Sequence, residues 1–356
     1  MIRSFLAFAV FLTVLPISAQ QEPENPIIQA NVPLVLAPVT VTDRKGAFID
    51  GLTVDDFRLT DDGKPQKIRM DTSDMVVSPV SLVVLIQSNA ISAPALARIE
   101  RVGGLIKPLV IGARGQAAVM EFDDELRLRT DFTTDSGAIG AVFLGIRSRS
   151  IRTARLLDAV LEGGKMLDTR SPNNRRVMLI LSESRDRGSK ANLKTAIEMA
   201  QRAGVVIYTA TYSVSASAFA SSPANSPSMP PSRDPADKQV DAPRQGARGA
   251  AENSPASNVD LLGGTMELGR LGKTNVTTAL ARATGGRQLS FVTLPMLETV
   301  ISRAGEEIHS QYLLSFVPEA SKPEAGKKDG PHEIRVAIPS RPDAVIRVRP
   351  QYWPQK

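Results

Sequence analysis

Apolar runs and amphipathic segments alternate along the middle of the chain. Residues 81–92 (SLVVLIQSNAIS) form an apolar run that ends in a short polar loop, and a helical pattern begins at Pro94. A buried strand followed by a loop and a helix places that loop at the carboxyl edge of a parallel sheet, where open α/β folds bind ligands. We therefore expect the functional surface at this edge. Further strands are predicted at residues 116–122, 126–130, 176–181, 205–211 and 287–291.

Helical periodicity separates these predicted strands. The clearest case is residues 295–309, whose apolar positions recur on one helical face. Strands that alternate with helices at this spacing predict right-handed crossovers and a largely parallel sheet, with residues 126–130 as an antiparallel edge strand. The predicted fold class is therefore a doubly wound α/β domain. The other predicted helices span residues 94–109, 136–146, 153–167, 191–203 and 274–283.

Both ends of the chain are predicted to be rich in strands. Residues 32–43 are rich in β-branched side chains, and residues 52–70 predict short strands around the turn Asp61-Asp62-Gly63-Lys64. Residues 312–317, 333–338 and 344–348 predict a β-rich C-terminal end. The predicted organisation is a signal peptide (1–19), a polar segment (20–30), a small β domain (31–75), an α/β core (80–212), a disordered Ser/Pro/Ala-rich insertion (213–258), the remainder of the core (259–317) and a C-terminal β extension (318–356).

Composition narrows the class of protein and its location. Residues 1–19 combine one positive charge, Arg3, with an apolar stretch, which is typical of a secretory signal peptide. Its removal would lower the formal net charge by one, from +6 to +5. With 4% aromatic residues, this mild excess favours an acidic partner over nucleic acid. Because the chain has no cysteine and no later long apolar run, we expect a periplasmic or secreted protein without disulfides or a transmembrane segment.

Several short motifs, taken in order along the chain, resemble the bacterial von Willebrand factor A-related family. The motifs are VTVTDRKGAFIDGLTVDDFRLTDDGKPQKI, the apolar run from Ser81, RTARLLDAV around Thr153, VMLILSESRD around Glu183, ATGGRQL, and IHSQYLLSFVP. Members of this family are exported proteins with a small β unit ahead of an A-type α/β domain. The resemblance implies the same architecture here.

The resemblance also implies a divalent-cation site at the top of the sheet. A-type domains generally bind the ion through an Asp-x-Ser-x-Ser loop, a threonine and an aspartate from two further loops, and a carboxylate from the partner. In this sequence Gln87 stands in place of the first aspartate, and Asn89 and Ile91 stand in place of the serines. Thr153 fits its expected type. The candidate loop residues are Gln87, Ser88, Asn89, Thr153, Glu183 and Asp186.

A predicted rim of arginines surrounds these loops. It consists of Arg149, Arg152, Arg155, Arg185 and Arg187. Three interpretations are open: a solvated rim, guanidinium groups that bind partner carboxylates bidentately, or amide oxygens that still hold Mg²⁺ or Mn²⁺ weakly. Our hypothesis is metal-independent binding of an unidentified protein with an acidic surface, because the first-loop carboxylate is lost and the rim would repel a dication. We expect no cofactor.

Catalytic chemistry has little support in the sequence. The two histidines, His309 and His332, both lie toward the C-terminus, and no Gly-x-Ser-x-Gly elbow is present. The pair Asp123-Asp124 falls in a predicted turn, where short acidic side chains serve the backbone. We therefore expect a non-catalytic protein. The alternatives are a structural or envelope-assembly module that acts through its β regions, a metal-dependent adhesion protein, and a hydrolase.

Overall fold

The computed structural model of the protein describes residues 34–70, 78–212, 275–318 and 330–353. The predicted signal peptide (1–19), polar segment (20–30) and insertion (213–258) lie outside these residues. The strands are β1 (Val35–Thr42), β2 (Arg58–Asp61), β3 (Lys64–Pro65), β4 (Ile68–Met70), β5 (Val80–Gln87), β6 (Gln116–Phe122), β7 (Leu126–Thr133), β8 (Arg175–Ser182), β9 (Val206–Tyr212), β10 (Gln288–Phe291), β11 (Tyr312–Phe316), β12 (His332–Ala337), β13 (Val345–Arg347) and β14 (Gln351–Tyr352). The α-helices are α1 (Ala93–Ile99), α2 (Ser136–Gly145), α3 (Leu156–Asp168), α4 (Leu193–Arg202), α5 (Val276–Ala283) and α6 (Leu294–His309). Among these described helices, none combines the length and apolar character needed to cross a bilayer.

Six of the described strands form one sheet in the order β10-β9-β8-β5-β6-β7. Neighbouring strands are parallel except for β6 and β7, whose antiparallel pairing confirms the predicted edge hairpin. When β5 is numbered as the first strand of the domain and the sheet is read from β7 to β10, the order is 3-2-1-4-5-6, the doubly wound arrangement. The predicted fold class is therefore confirmed.

Helices cover both faces of this sheet because its central strand is apolar on both sides. Val84 and Ile86 of β5 belong to a buried cluster with α1, α2 and α6. Val83 and Leu85 point to the other face and pack with α3, α4 and α5. Every residue of β5 is buried, as expected of a central parallel strand.

Residues 94–109, predicted as one helix, instead form shorter segments. After α1, a 3-10 turn spans Gly103–Leu105 and a π-helix spans Ile106–Ile111. Adjacent glycines have low helix propensity, and Pro108 lacks the N–H that an α-helical hydrogen bond requires. The prediction of a continuous helix was therefore wrong, although its apolar face still lies in the core.

The remaining strands form two antiparallel sheets, which we call the β module (β1–β4 and β11–β14). Their orders are β13-β1-β11-β4 and β14-β12-β2-β3, and both contribute to one buried cluster that includes Phe57, Leu314 and Tyr352. Strands from the predicted N-terminal β domain thus pair with strands from the predicted C-terminal extension. β11, predicted with the remainder of the core, pairs with β1.

Glu307, near the end of α6, joins the β module to the α/β core. Its side chain is 1% exposed, and Oε2 lies 2.5 Å from Arg347 of β13 and 3.7 Å from Arg287. Oε1 accepts hydrogen bonds from Tyr208 of β9 (3.2 Å) and Thr40 of β1 (3.5 Å). Burial, together with the charge of Glu307, holds the pKa of the Tyr208 phenol well above its ordinary value. One carboxylate therefore links strands of the α/β core to strands of the β module.

Glu307→Gln should destabilise the protein strongly. The substitution leaves the two arginines without their buried counter-charge, and removing one partner of a buried ion pair typically costs about 3–5 kcal/mol. Urea unfolding followed by far-ultraviolet circular dichroism measures the change. Glu306→Gln is the matched control, because the neighbouring Glu306 is exposed and its side chain bonds only to Ser302 among described residues. Equal unfolding midpoints for the two variants would contradict the assignment.

Candidate functional site

The carboxyl ends of β5 and β8 meet where the strand order reverses, which is the position at which doubly wound sheets bind ligands. The predicted loops converge there. The amide of Arg149 donates to the carbonyl of Ser88 (2.8 Å), and Ala154 and Arg187 exchange backbone hydrogen bonds (both 2.9 Å). We call this surface the carboxyl-edge site (residues 87–92, 121–129, 147–158 and 183–191).

The first loop is held by neutral amides. Gln87 and Asn89 are fully buried, and Nε2 of Gln87 donates to Oδ1 of Asn89 (2.9 Å). Oε1 of Gln87 accepts from the amide of Glu183 (3.0 Å). Asn89 donates to the carbonyl of Arg152 (3.1 Å) and accepts from the Ser92 hydroxyl (2.8 Å). These two side chains therefore connect the first loop to the second and third loops.

The same network extends to the neighbouring strands. The Tyr212 hydroxyl at the end of β9 donates to Oγ of Ser92 (2.8 Å), and burial raises the pKa of this phenol. The amide of the buried Ser88 donates to the carbonyl of Phe122 at the end of β6 (3.0 Å). The first loop is thus hydrogen-bonded to β9 on one side and to β6 on the other, and its buried polar groups have partners within the protein.

Glu183 is engaged by an arginine of its own loop. The carboxylate is 6% exposed and receives two hydrogen bonds from Arg187, from Nε (2.6 Å) and from Nη2 (3.2 Å). The hydrogen bond from Glu183 raises the pKa of the Arg187 guanidinium. Both oxygens of this candidate ligand are therefore occupied by an internal cation.

The side chain of Asp186 accepts a hydrogen bond from the first turn of α3. Its carboxylate accepts from the amide of Leu157 (3.1 Å) and from the Ser189 hydroxyl (2.6 Å). The helix begins three residues after the predicted start at Thr153. Thr153 lies against Gly188, which has a φ of +101°, and a Cβ at Gly188 would lie 2.8 Å from Cγ2 of Thr153, so the position favours glycine. The second and third loops are thus pressed together at this point.

Asp158, on the first turn of α3, ties the third loop to the helix. Its oxygens accept from the amides of Ala191 (2.8 Å) and Lys190 (3.1 Å) and from Nε of Arg155 (2.7 Å). Burial by itself would raise the pKa of Asp158, but these hydrogen bonds outweigh it and lower the pKa below the ordinary value. The guanidinium group of Arg155, which was predicted to lie in the partner-binding rim, instead forms an ion pair with Asp158.

Asp123 is a buried carboxylate that the sequence interpretation missed. It does accept a turn hydrogen bond from the amide of Glu125 (3.0 Å), as predicted. It is also fully buried, paired with Arg127 and 3.8 Å from Nε of Arg149. Burial favours a higher pKa for Asp123, but the hydrogen bonds from Arg127 and Glu125 bring it below the ordinary value. Asp123 is therefore an ion-pair partner as well as a turn residue.

Glu121, two positions earlier in the chain, was missed for a related reason. It is 1% exposed and pairs with Arg127 (3.1 Å) and Arg129 (2.7 Å) of β7. The signal was present in the sequence, because Glu121 and Arg127 are directly opposite in the hairpin. An alternating Arg-x-Arg strand opposite an acid indicates such cross-strand pairs.

The five predicted rim arginines divide into two groups. Arg155 and Arg187 are bound to acids, as described above. Arg149 is 48% exposed with only the long contact to Asp123. Arg152 and Arg185 are exposed, and their side chains form no ion pair or hydrogen bond with any other described residue. Of the five predicted rim arginines, Arg155 and Arg187 form close ion pairs within the protein, and Arg149, Arg152 and Arg185 do not.

The oxygen donors of the carboxyl-edge site do not fit a divalent cation. Such an ion needs several oxygen ligands with carboxylate charge among them. The amide oxygens of Gln87 and Asn89 accept internal hydrogen bonds. The carboxylates of Asp123, Glu183 and Asp186 are bound to guanidinium, N–H or hydroxyl groups. The exposed carboxylates of the site, Asp124 and Glu125, lie in the β6–β7 turn, and exposed guanidinium groups outnumber them.

The two histidines lie away from this surface. His309 is beside Gly112 at the amino edge of the sheet, and partial burial together with the nearby Arg175 lowers its pKa. His332 begins β12 in the β module. The carboxyl-edge site as described therefore contains no imidazole.

No protein-family model matches the sequence, and no curated protein does. The solved structures that are similar to the chain include the following three. The SpRpn10 VWA domain is 13% identical, with 38% of this chain and 75% of that chain covered and a TM-score of 0.28. The conserved hypothetical protein BatB from Bacteroides thetaiotaomicron is 11% identical (64% and 98% covered, TM-score 0.41). An aerotolerance-related membrane protein from Bacteroides fragilis is 10% identical (64% and 99% covered, TM-score 0.39).

The fold of the α/β core is assigned from its strand order. A doubly wound sheet with β7 antiparallel at one edge and a reversal of strand order between β5 and β8 has the architecture of a von Willebrand factor A-like or Rossmann-like α/β domain. This is the fold that the sequence motifs imply. The strands of the β module come before and after this α/β core in the chain.

Asp158→Asn should lower stability near pH 7 by about 1–3 kcal/mol, because the N–H donors of Ala191, Lys190 and Arg155 lose a charged acceptor. The pKa of Asp158 is lower in the folded than in the unfolded protein, so its contribution is complete above the ordinary aspartate pKa of about 4 and is lost as the pH falls through the folded value. The variant should therefore lose less stability than the wild type between neutral and acid pH. Urea unfolding at several pH values measures both effects.

Glu162→Gln, on an exposed position of the same helix, is the control for this pH series. It should retain the acid dependence of the wild type, since surface pairs contribute little. A parallel pH dependence for Asp158→Asn and the wild type would refute the role given to Asp158.

Proposed function

We propose that this protein is an exported, non-catalytic binding protein that docks an acidic protein surface at the carboxyl-edge site without a metal ion. One observation carries the proposal: the buried carboxylates of this edge, Asp123 and Glu183, are paired internally. The exposed guanidinium groups of Arg149, Arg152 and Arg185 at its rim outnumber the exposed acids Asp124 and Glu125. A partner carboxylate would meet complementary charge there.

The chemistry of the rim favours carboxylates as the recognised groups. A guanidinium group has a planar fork that binds a carboxylate through two parallel hydrogen bonds. Three such groups spaced along two loops match several acidic side chains better than one small anion. The available arginines also lie on loops whose backbones are fixed by the Gln87–Asn89 network, so little loop ordering would be needed on binding.

The proposals of export and of no catalytic activity rest on other features. The signal-peptide pattern of residues 1–19 supports a periplasmic or secreted location. The absence of an imidazole from the described carboxyl-edge site supports a binding role, since general acid–base chemistry most often uses histidine.

Arg152→Ser and Arg185→Ser should each weaken binding of a fluorescent poly-glutamate peptide by roughly two- to fivefold, as expected for exposed charge pairs of up to about 1 kcal/mol. The double variant should also show a flatter dependence on salt, because fewer charges contribute. Fluorescence anisotropy at low and at high NaCl concentration, with and without a chelator, measures both properties.

Arg101→Ser is the matched control, because Arg101 is exposed, follows α1 and lies outside the carboxyl-edge site. It should bind the peptide like the wild type. Equal weakening by Arg101→Ser would mean that the peptide responds to net charge alone, and unchanged binding by both rim variants would leave the arginines as a solvated surface.

Mg²⁺ or Mn²⁺ should show no binding that depends on Thr153. The donor oxygens around this residue are engaged, and adjacent guanidinium groups oppose a dication. Isothermal titration of the wild type and of Thr153→Ala with either ion should give the same heats. Micromolar binding by the wild type that Thr153→Ala removes would contradict the metal-independent proposal.

A further inference from the structure

A second polar cluster lies in the β module, well separated in sequence from the carboxyl-edge site. Asp61 ends β2, Asp62 follows it in the turn, and His332 begins β12. Nδ1 of His332 lies 3.3 Å from Oδ1 of Asp61 and 3.1 Å from Oδ2 of Asp62. Among the described residues, this is the one group of three histidine, aspartate or glutamate side chains whose potential metal-binding atoms all lie within 4.8 Å of one another.

Each carboxylate of this cluster is anchored through one oxygen and presents the other. Oδ2 of Asp61 accepts a hydrogen bond from the Tyr352 hydroxyl (2.9 Å), which leaves Oδ1 facing the imidazole. Oδ1 of Asp62 accepts from the amide of Glu333 (2.9 Å), which leaves Oδ2 facing the same imidazole. Hydrogen bonds that fix the second oxygen of a carboxylate, and so orient the first oxygen toward an ion, are characteristic of metal sites.

The two distances from the imidazole nitrogen also match the spacing of ligands around one metal ion. Zinc bonds to nitrogen and carboxylate oxygen of about 2.0–2.1 Å place neighbouring ligands roughly 2.8–3.4 Å apart for octahedral to tetrahedral angles. The two distances from Nδ1 fall in this range. A single N–H on Nδ1 can point well at only one of the two carboxylates, whereas one cation can bind all three atoms.

The surroundings leave space for further ligands. The side chain of Asp62 is 53% exposed and that of His332 is 18% exposed, so water can complete the coordination shell. The carboxylate of Glu333 is paired with Arg335 and does not compete for the ion. Asp61 is 5% exposed, which keeps one anionic ligand in a low-dielectric position.

From these contacts we propose that Asp61, Asp62 and His332 form a binding site for a divalent transition-metal ion, with Zn²⁺ as its representative. An imidazole with two carboxylates suits zinc and its neighbours, whereas Mg²⁺ favours oxygen ligands alone. The bound ion would connect residues at the end of β2 to a residue of β12, which lies 271 positions from Asp61. It would therefore stabilise the β module, because an ion that binds only the folded state raises its stability. The site is independent of the function proposed above.

The test is a Zn²⁺ titration of tag-free, chelator-treated full-length protein with histidine-selective ¹⁵N labelling. The chain has two histidines and no cysteine, so each imidazole gives an assignable signal. We expect the His332 Nδ1 resonance to shift with saturation at one equivalent, the His309 resonances to stay in place, and Tm to rise. Unshifted His332 signals at saturating Zn²⁺ would overturn the proposal and leave a hydrogen-bonded ion pair only.

Variants separate the zinc site from a general effect on folding. His332→Gln and Asp62→Asn, which each remove a proposed ligand, should weaken zinc binding by about tenfold or more. Tyr352→Phe should weaken it by about tenfold, because the variant loses the hydrogen bond that orients Asp61. His309→Gln is the matched control and should bind like the wild type, as should Thr153→Ala. If His332→Gln and Asp62→Asn fold and bind zinc as tightly as His309→Gln, the assignment of the ligands is wrong.

Discussion

A buried carboxylate must be neutralised within the protein, and this constraint shapes both ends of the central sheet. At one end, Glu307 is bound by Arg287 and Arg347 and so joins the α/β core to the β module. At the other end, Glu121, Asp123 and Glu183 are each at most 6% exposed and are each bound to an arginine. The ion pairs therefore set the geometry of the junction and of the loops.

The same constraint decides what the carboxyl-edge site can offer a ligand. Arginines that neutralise internal acids are not available to a partner, which removes Arg155 and Arg187 from the predicted rim. Gln87 lies at the end of the central strand, and its neutral amide needs no counter-ion. The amide is hydrogen-bonded to Asn89 and to the backbone of Glu183 in the third loop. The loops are thus held together by hydrogen bonds within the protein, and exposed arginines outnumber the exposed acids Asp124 and Glu125.

Local pattern predicted the elements better than it predicted their partners. The apolar run of β5 and the hairpin of β6 and β7 were found because burial and alternation appear in a few adjacent residues. The helix predicted at 94–109 was wrong because periodicity was given more weight than the glycine pair and Pro108. Asp123 was assigned to the turn alone, since its burial and its contact with Arg149 depend on how the hairpin packs against the second loop.

The sequence by itself determined the doubly wound class, the position of the carboxyl edge and several of the residues that line it, because alternating buried strands and helices predict a parallel sheet whose strand-end loops meet at one edge. Tertiary structure alone decided which arginines are available, which acids are neutralised, and that strands from both ends of the chain share sheets. It also brought His332 to Asp61 and Asp62 across 271 positions. Pairing energies depend on distance in space, and no local pattern encodes a contact between residues so far apart in the chain.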